Sequence, residues 1–200
     1  MNRTAFAAAA LFALPLAACA TAPGPVEVTR FVDPAATTQL GQGTVFVASA
    51  PGEEDSLVLA PYKAAVAREL TRLGYVETDR AGASQIAEVR LERYTVGAEG
   101  RRSPVSVGVG GSTGTYGSGV GLGIGINLGG GNRDKLGTEL AVTLRPAGAQ
   151  GNLWEGRADF RVADNSPLAQ AQANAQTVAA ALFSDFPGNS GETIAVEVPK

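Results

Sequence analysis

Cys19 is the one thiol in the chain, and it stands directly after Leu16-Ala17-Ala18 at the end of an apolar run. A lone cysteine can form no disulfide within its own chain, so its chemistry must come from outside the fold. Histidine is absent altogether. That removes the usual general base, the Ser-His and Cys-His nucleophile pairs and the commonest metal ligand. With its only thiol near the start of the chain, the protein offers zinc no ligand set. Carboxylates remain. Glu155, Arg157, Asp159 and Arg161 alternate along LWEGRADFRV, and Glu53, Glu54 and Asp55 run together after Pro51-Gly52. The first group reads as a solvated strand face with cross-strand ion pairs, each worth less than about 1 kcal/mol. The second reads as a solvated loop. No spacing singles out a carboxylate pair or a Ser-Lys dyad, so the expectation is a non-enzymatic protein with no catalytic residue and no cofactor.

The glycine run GSGVGLGIGINLGGG, Gly117 to Gly131, raises phosphate chemistry next. It contains neither GxGxxG nor GxxxxGK[ST], so no phosphate-loop motif supports that reading. GGGNRDKLG, residues 129–137, resembles a calcium-binding nonapeptide, with Asn132 where that pattern has glycine. That motif works by stacking many copies and this chain has one, so no metal site is expected. What remains is a period of two: Val120, Leu122, Ile124, Ile126 and Leu128 alternate with Gly119, Gly121, Gly123, Gly125 and Asn127. Upstream, Val105, Val107 and Val109 alternate with small residues, and a turn-rich STGTYGS lies between.

The pattern predicts a glycine-rich β-hairpin insert over residues 103–132, with one apolar face, one nearly bare face and no charge. Glycine in a strand often marks a close approach by another surface. An uncovered apolar strip is an aggregation hazard, so something should cover it. Three covers stay open: the protein's own sheet or helices, a partner chain or second copy, and lipid. A tilted strand of about 9–11 residues can cross a bilayer, but one hairpin cannot close a barrel, so a pore would need a ring of subunits. Val120, Leu122, Ile124, Ile126 and Leu128 are the candidate interaction surface.

The chain opens MNRTAFAAAALFALPLAACA: Arg3, an apolar run from Ala5 to Leu14, then small residues. This is the pattern of a secretory signal, too short for a membrane-spanning helix of about 20 residues. Its end, Leu-Ala-Ala-Cys, resembles the lipobox of bacterial lipoproteins. That resemblance implies cleavage before Cys19, a diacylglyceryl group on its sulfur and further acylation, and more than one acyl chain makes a firm anchor. By the enterobacterial sorting rule for such lipoproteins, in which aspartate after the cysteine marks the inner membrane, Ala20 implies the outer membrane, facing the periplasm, in preference to the inner membrane. The organisation expected is signal peptide 1–18, lipidated cysteine and short tether 19–27, and one domain 28–200. A net charge of −3 and a pI near 5.1 leave no basic surface for nucleic acid.

The body must position these features. GTVFVASA, residues 43–50, reads as a strand. PYKAAVARELTRLGY places Tyr62, Val66, Leu70 and Leu73 on one helical face, with Pro61 suited to the first turn and Gly74 to a left-handed cap. A second helix is predicted from Ser166-Pro167 to Phe186-Pro187-Gly188, with Leu168, Ala171, Ala175, Val178, Leu182 and Phe186 along one side. Between the helices the period drops to two: Ala87, Val89 and Leu91; Leu140, Val142 and Leu144; Trp154, Gly156, Ala158, Phe160 and Val162. ETIAVEV, residues 192–198, adds an edge strand. Clean alternation implies an antiparallel sheet with one wet face. The fold expected is α+β, an antiparallel sheet of about five or six strands covered on one face by two α-helices.

The order VTRF, GTVFV, LGY, AEVRLERY, glycine-rich insert, LWEGRA and FPG is similar to a family of proteobacterial envelope lipoproteins, domain of unknown function 4136, over roughly residues 28–188. The resemblance implies a periplasm-facing α+β lipoprotein and brings no catalytic residues. The function expected is a structural or binding role at the cell envelope. Membrane attachment would be through Cys19, with a protein partner or self-association through the hairpin. The alternative is a subunit of an oligomeric envelope pore or export assembly that uses the hairpin.

Overall fold

Strand β1 (Val26–Val32) turns Val26 and Val28 into the core and is the sixth strand across one sheet. The computed structural model describes residues 23–96, 102–103 and 135–199. A 3-10 turn over Pro34–Gln39 follows, capped by the Asp33 carboxylate accepting from the Ala35 amide at 2.9 Å. Next come β2 (Thr44–Ser49), α1 (Ala60–Arg72), β3 (Val76–Glu77), β4 (Gln85–Val96), β5 (Arg102–Ser103), β6 (Lys135–Pro146) and β7 (Trp154–Ala163). A 3-10 turn at Pro167–Ala169, α2 (Ala171–Leu182) and β8 (Thr193–Val196) complete the order. The sheet runs β3-β2-β4-β6-β7-β1-β8, with β5 beside the end of β4.

The α+β class is as expected, and two points of architecture are corrections. The described sheet has eight strands, because the two-residue β3 and β5 are too short to show alternation. It is also mixed: β2 runs parallel to both β3 and β4. The cause is α1, which carries the chain back along the sheet, so β3 and β4 run the same way as β2. The remaining pairs are antiparallel, with β4 and β6 in register from Gln85↔Pro146 to Val96↔Lys135.

Period-two alternation sorts the strands' side chains as predicted. Ala87, Val89, Leu140, Val142, Leu144, Trp154, Ala158, Phe160 and Val162 are buried in one cluster under both helices. Helix α1 presents Tyr62, Val66 and Leu70 to it, and α2 presents Ala175, Val178 and Leu182. Trp154 stacks on Phe183 at 5.4 Å and lies over Gly156, where a Cβ would fall 2.2 Å from the indole. The glycine in this strand therefore makes room for the tryptophan.

Helix α1 stops as its sequence requires. Gly74 has φ +108°, its amide donates to Thr71 O, and the Tyr75 amide donates to Leu70 O, each at 3.1 Å. This is a Schellman closure, and Tyr75 folds back into the core beside Leu70. The second helix begins later than predicted. Ser166 caps the short 3-10 turn, Gln170 is extended, and α2 starts only at Ala171 and ends before Phe186. β1 likewise begins at Val26, two residues inside the stretch read as tether.

Candidate functional site

Cys19 and the candidate surface Val120, Leu122, Ile124, Ile126 and Leu128 lie outside the described residues, as does the predicted insert apart from Ser103 in β5. What the structure brings together is a pair of polar clusters on opposite faces of the β4–β6–β7 sheet, both toward the end where β4 gives way to β5.

On the open face, sheet register lines up four carboxylates across four strands: Glu27, Asp159, Glu139 and Glu92. The rows to either side carry arginines, Arg157 and Arg90 in one and Arg161 in the other. Arg157 Nε lies 3.1 Å from Glu139 Oε1 and Arg161 Nε 3.1 Å from Asp159 Oδ1. The alternating charges read from LWEGRADFRV are thus the outward side of β7, ion-paired within and across strands. Charge is interleaved here, not concentrated. Among the described residues no group of three or more His, Cys, Asp or Glu side chains is disposed to hold a metal ion.

Tyr94 stands in the Arg161 row. Its ring lies across Gly137, its register partner on β6, where a Cβ would fall 2.3 Å from the ring. Its hydroxyl donates to Asp159 Oδ2 at 2.6 Å and accepts from Arg161 Nε at 3.3 Å. Burial, followed by the Asp159 carboxylate, raises the Tyr94 pKa. The phenol therefore stays protonated near neutrality and acts as a donor that fixes Asp159.

Beneath the helices, the Tyr62 hydroxyl donates to Asn174 Oδ1 at 2.8 Å, and Asn174 Nδ2 donates to Leu168 O at 2.9 Å. Arg93, in the inward phase of β4, donates from Nη2 to Ala169 O at 3.0 Å. These contacts pin the 3-10 turn before α2 to the core. Thr138 is fully buried opposite Arg93 and beside the Tyr62 hydroxyl, while Arg93 Nε finds no hydrogen-bond partner among the described residues.

Arg30 is a third inward polar residue, 4 % exposed. It donates from Nε to Leu182 O at 3.1 Å and from Nη2 to Ala181 O at 3.2 Å and Ser184 Oγ at 3.1 Å. Desolvation lowers its pKa, opposed by the charges of Asp185 and Glu192. Sequence reasoning did not single out Arg30, Arg93 or Tyr94. The signal for the first two was present: each is an arginine in the inward phase of an alternating strand. For Tyr94 it was not, because only the pairing shows which glycine it covers. A shallow groove of about 340 Å³ between the helices is lined by Ala65, Arg68, Glu69, Arg72, Gln176 and Ala180.

No protein-family model matches the chain, and no curated protein matches it. Among solved structures it is similar to the PelC dodecamer from Paraburkholderia phytofirmans, at 12% identity and a TM-score of 0.47, covering 80% of this chain and 95% of that one. A point variant of PelC matches over the same shares with a TM-score of 0.46. A PDZ domain protein from Parabacteroides distasonis is similar at 12% identity and a TM-score of 0.44, over 86% of this chain and 39% of that one. These are distant likenesses.

Proposed function

We propose that this protein is a non-enzymatic lipoprotein of the family of domain of unknown function 4136. It is anchored through Cys19 to the periplasmic face of the outer membrane, where it serves a structural or binding role. The observation that carries the reading is Leu16-Ala17-Ala18-Cys19, the chain's only thiol, placed behind an apolar run of signal length. Support comes also from how the polar side chains are used. Arg30, Tyr62, Asn174, Tyr94, Asp159 and Arg161 are each tied to a neighbour that holds the frame together. The contact surface belongs to the uncharged stretch 103–132 through Val120, Leu122, Ile124, Ile126 and Leu128.

Expression of the full chain and of Cys19→Ala, followed by fractionation and acyl labelling, tests the anchor. The native chain should label and sediment with membranes, and Cys19→Ala should do neither; unchanged sedimentation of Cys19→Ala removes the anchor. A photo-reactive side chain at Ile124, with a control at Arg157, tests the surface: a discrete heavier band from position 124 alone identifies an interface. The second reading, a subunit of an oligomeric pore or export assembly, rests on the uncharged alternation itself. Purified protein that stays monodisperse with detergent and with liposomes counts against it.

A further inference from the structure

We infer that the open edge of β4 at Leu91 and Arg93, with Leu57 and Val58 beside it, is the docking site of Pro104-Val105-Ser106-Val107 of the same chain. That edge opens because β4 outruns its neighbour. β6 pairs with the whole of one side of β4, from Gln85 to Val96. On the other side β2 pairs only as far as Ser49↔Val89, the Ala50 amide donates to Val89 O at 2.9 Å, and the chain turns away at Pro51. β5 takes up that side again at Thr95↔Ser103 and Val96↔Arg102. Successive residues of a strand aim their backbone groups at opposite neighbours. Val89 O points toward β2, so Leu91 and Arg93 aim their N–H and C=O the same way, into the gap between Ala50 and Ser103. Neither residue's backbone finds a partner on that side among the described residues. Unpaired backbone groups of this kind inside a sheet call for a strand.

The register of β5 selects the occupant. Continued antiparallel, its two pairs set Pro104 opposite Tyr94, Val105 opposite Arg93, Ser106 opposite Glu92 and Val107 opposite Leu91. Tyr94 aims its backbone at β6, so the matching place for Pro104 is one whose N–H would face away from β4, and the missing donor costs no ladder bond. Val105 and Val107 fall at the places that exchange bonds with Arg93 and Leu91. They also share the inward phase of those residues, on the helix side of the sheet. Leu57 and Val58 stand on that side, 94% and 38% exposed. They follow Asp55, which accepts from Ser49 Oγ and Lys63 Nζ and so lies where β2 ends and the gap begins. A segment tied directly to Ser103 meets this edge without the entropy cost that a second copy would bear. With its first arm built into the sheet, the insert keeps the arm from Val120 to Leu128 for the contact proposed above, whether or not Cys19 carries lipid.

Two measurements on the full chain test this. Glu92 and Ser106 fall in a non-hydrogen-bonded pair, where opposed side chains come closest. In a Cys19→Ala background, Glu92→Cys with Ser106→Cys should close an intramolecular disulfide on mild oxidation, and Glu92→Cys with Ser112→Cys should not. Amide exchange followed by NMR should show Leu91 and Arg93 protected. Val105→Pro should speed exchange at Arg93 by about tenfold, the worth of one backbone hydrogen bond. Ser106→Pro, at a place whose N–H faces away from β4, should leave that rate unchanged, and neither variant should alter exchange at Val142 in the sheet centre. A disulfide formed as readily from position 112, or a 92–106 disulfide found only between two chains, overturns the assignment. So do Leu91 and Arg93 amides that exchange as fast as Gln150 in the 147–153 turn in every variant.

Discussion

Nε of Arg30 lies 3.1 Å from the carbonyl oxygen of Leu182, so a strand on the far side of the core caps the end of α2. Nη2 of the same side chain reaches Ala181 O and Ser184 Oγ. The last carbonyls of a helix have no partner within it, and the negative end of the dipole favours a cation. Arg30→Met should therefore destabilise the protein by roughly 2–3 kcal/mol, the loss of charged hydrogen bonds being offset in part by removal of a buried charge. Urea denaturation checks this, and Arg30→Lys should fall between the two because it cannot fork across two carbonyls.

Tyr94 and Gly137 should behave as a pair. Gly137→Ala places a methyl group where the Tyr94 ring lies and should cost roughly 1–3 kcal/mol. In a Tyr94→Ala background the same change should cost much less. A double-mutant cycle by denaturation measures the coupling, and additive losses would show that the ring does not hold this position.

Tyr62→Phe removes the donor to a fully buried Asn174 and keeps the ring. The cost expected is about 1–3 kcal/mol, the penalty for leaving a buried acceptor unmet. Hydrogen exchange should then quicken in the Pro167–Ala169 turn, which Asn174 holds through Leu168 O.

Alkaline pH should weaken the fold. Burial raises the pKa of Tyr62, Tyr75 and Tyr94 above the ordinary value of 10.0. A raised folded pKa means the unfolded chain sheds its phenolic protons first. The stabilisation is complete below about pH 10 and is lost as pH climbs toward the folded values, by up to about 1.4 kcal/mol per unit for each tyrosine. Absorbance at the tyrosinate band should show these three titrating late and together with unfolding.

Arg157, whose side chain is 67% exposed, should matter little despite its 3.1 Å contact with Glu139. Arg157→Ala should shift stability by less than about 1 kcal/mol, and less still in high salt.

Much of this frame is written in local periodicity. Trp154, Ala158, Phe160 and Val162 fall inward because a strand turns alternate side chains to one face, and each step needs only the residue two places on. Pro61 and Gly74 bracket α1 for equally local reasons, a fixed φ at the start and a positive φ at the end. The thiol at Cys19 and the absence of histidine needed no structure at all. Alternation tells a strand which side to bury and says nothing about which strand lies beside it. The parallel pairing of β2 with β4 came from the return of α1, and the row of Glu27, Asp159, Glu139 and Glu92 came from the registers of three pairings. Arg30 could be seen as an arginine out of phase, but its partners at Leu182 and Ala181 stand some 150 residues along the chain. Those contacts depend on how separate elements pack, and only the tertiary structure decided them.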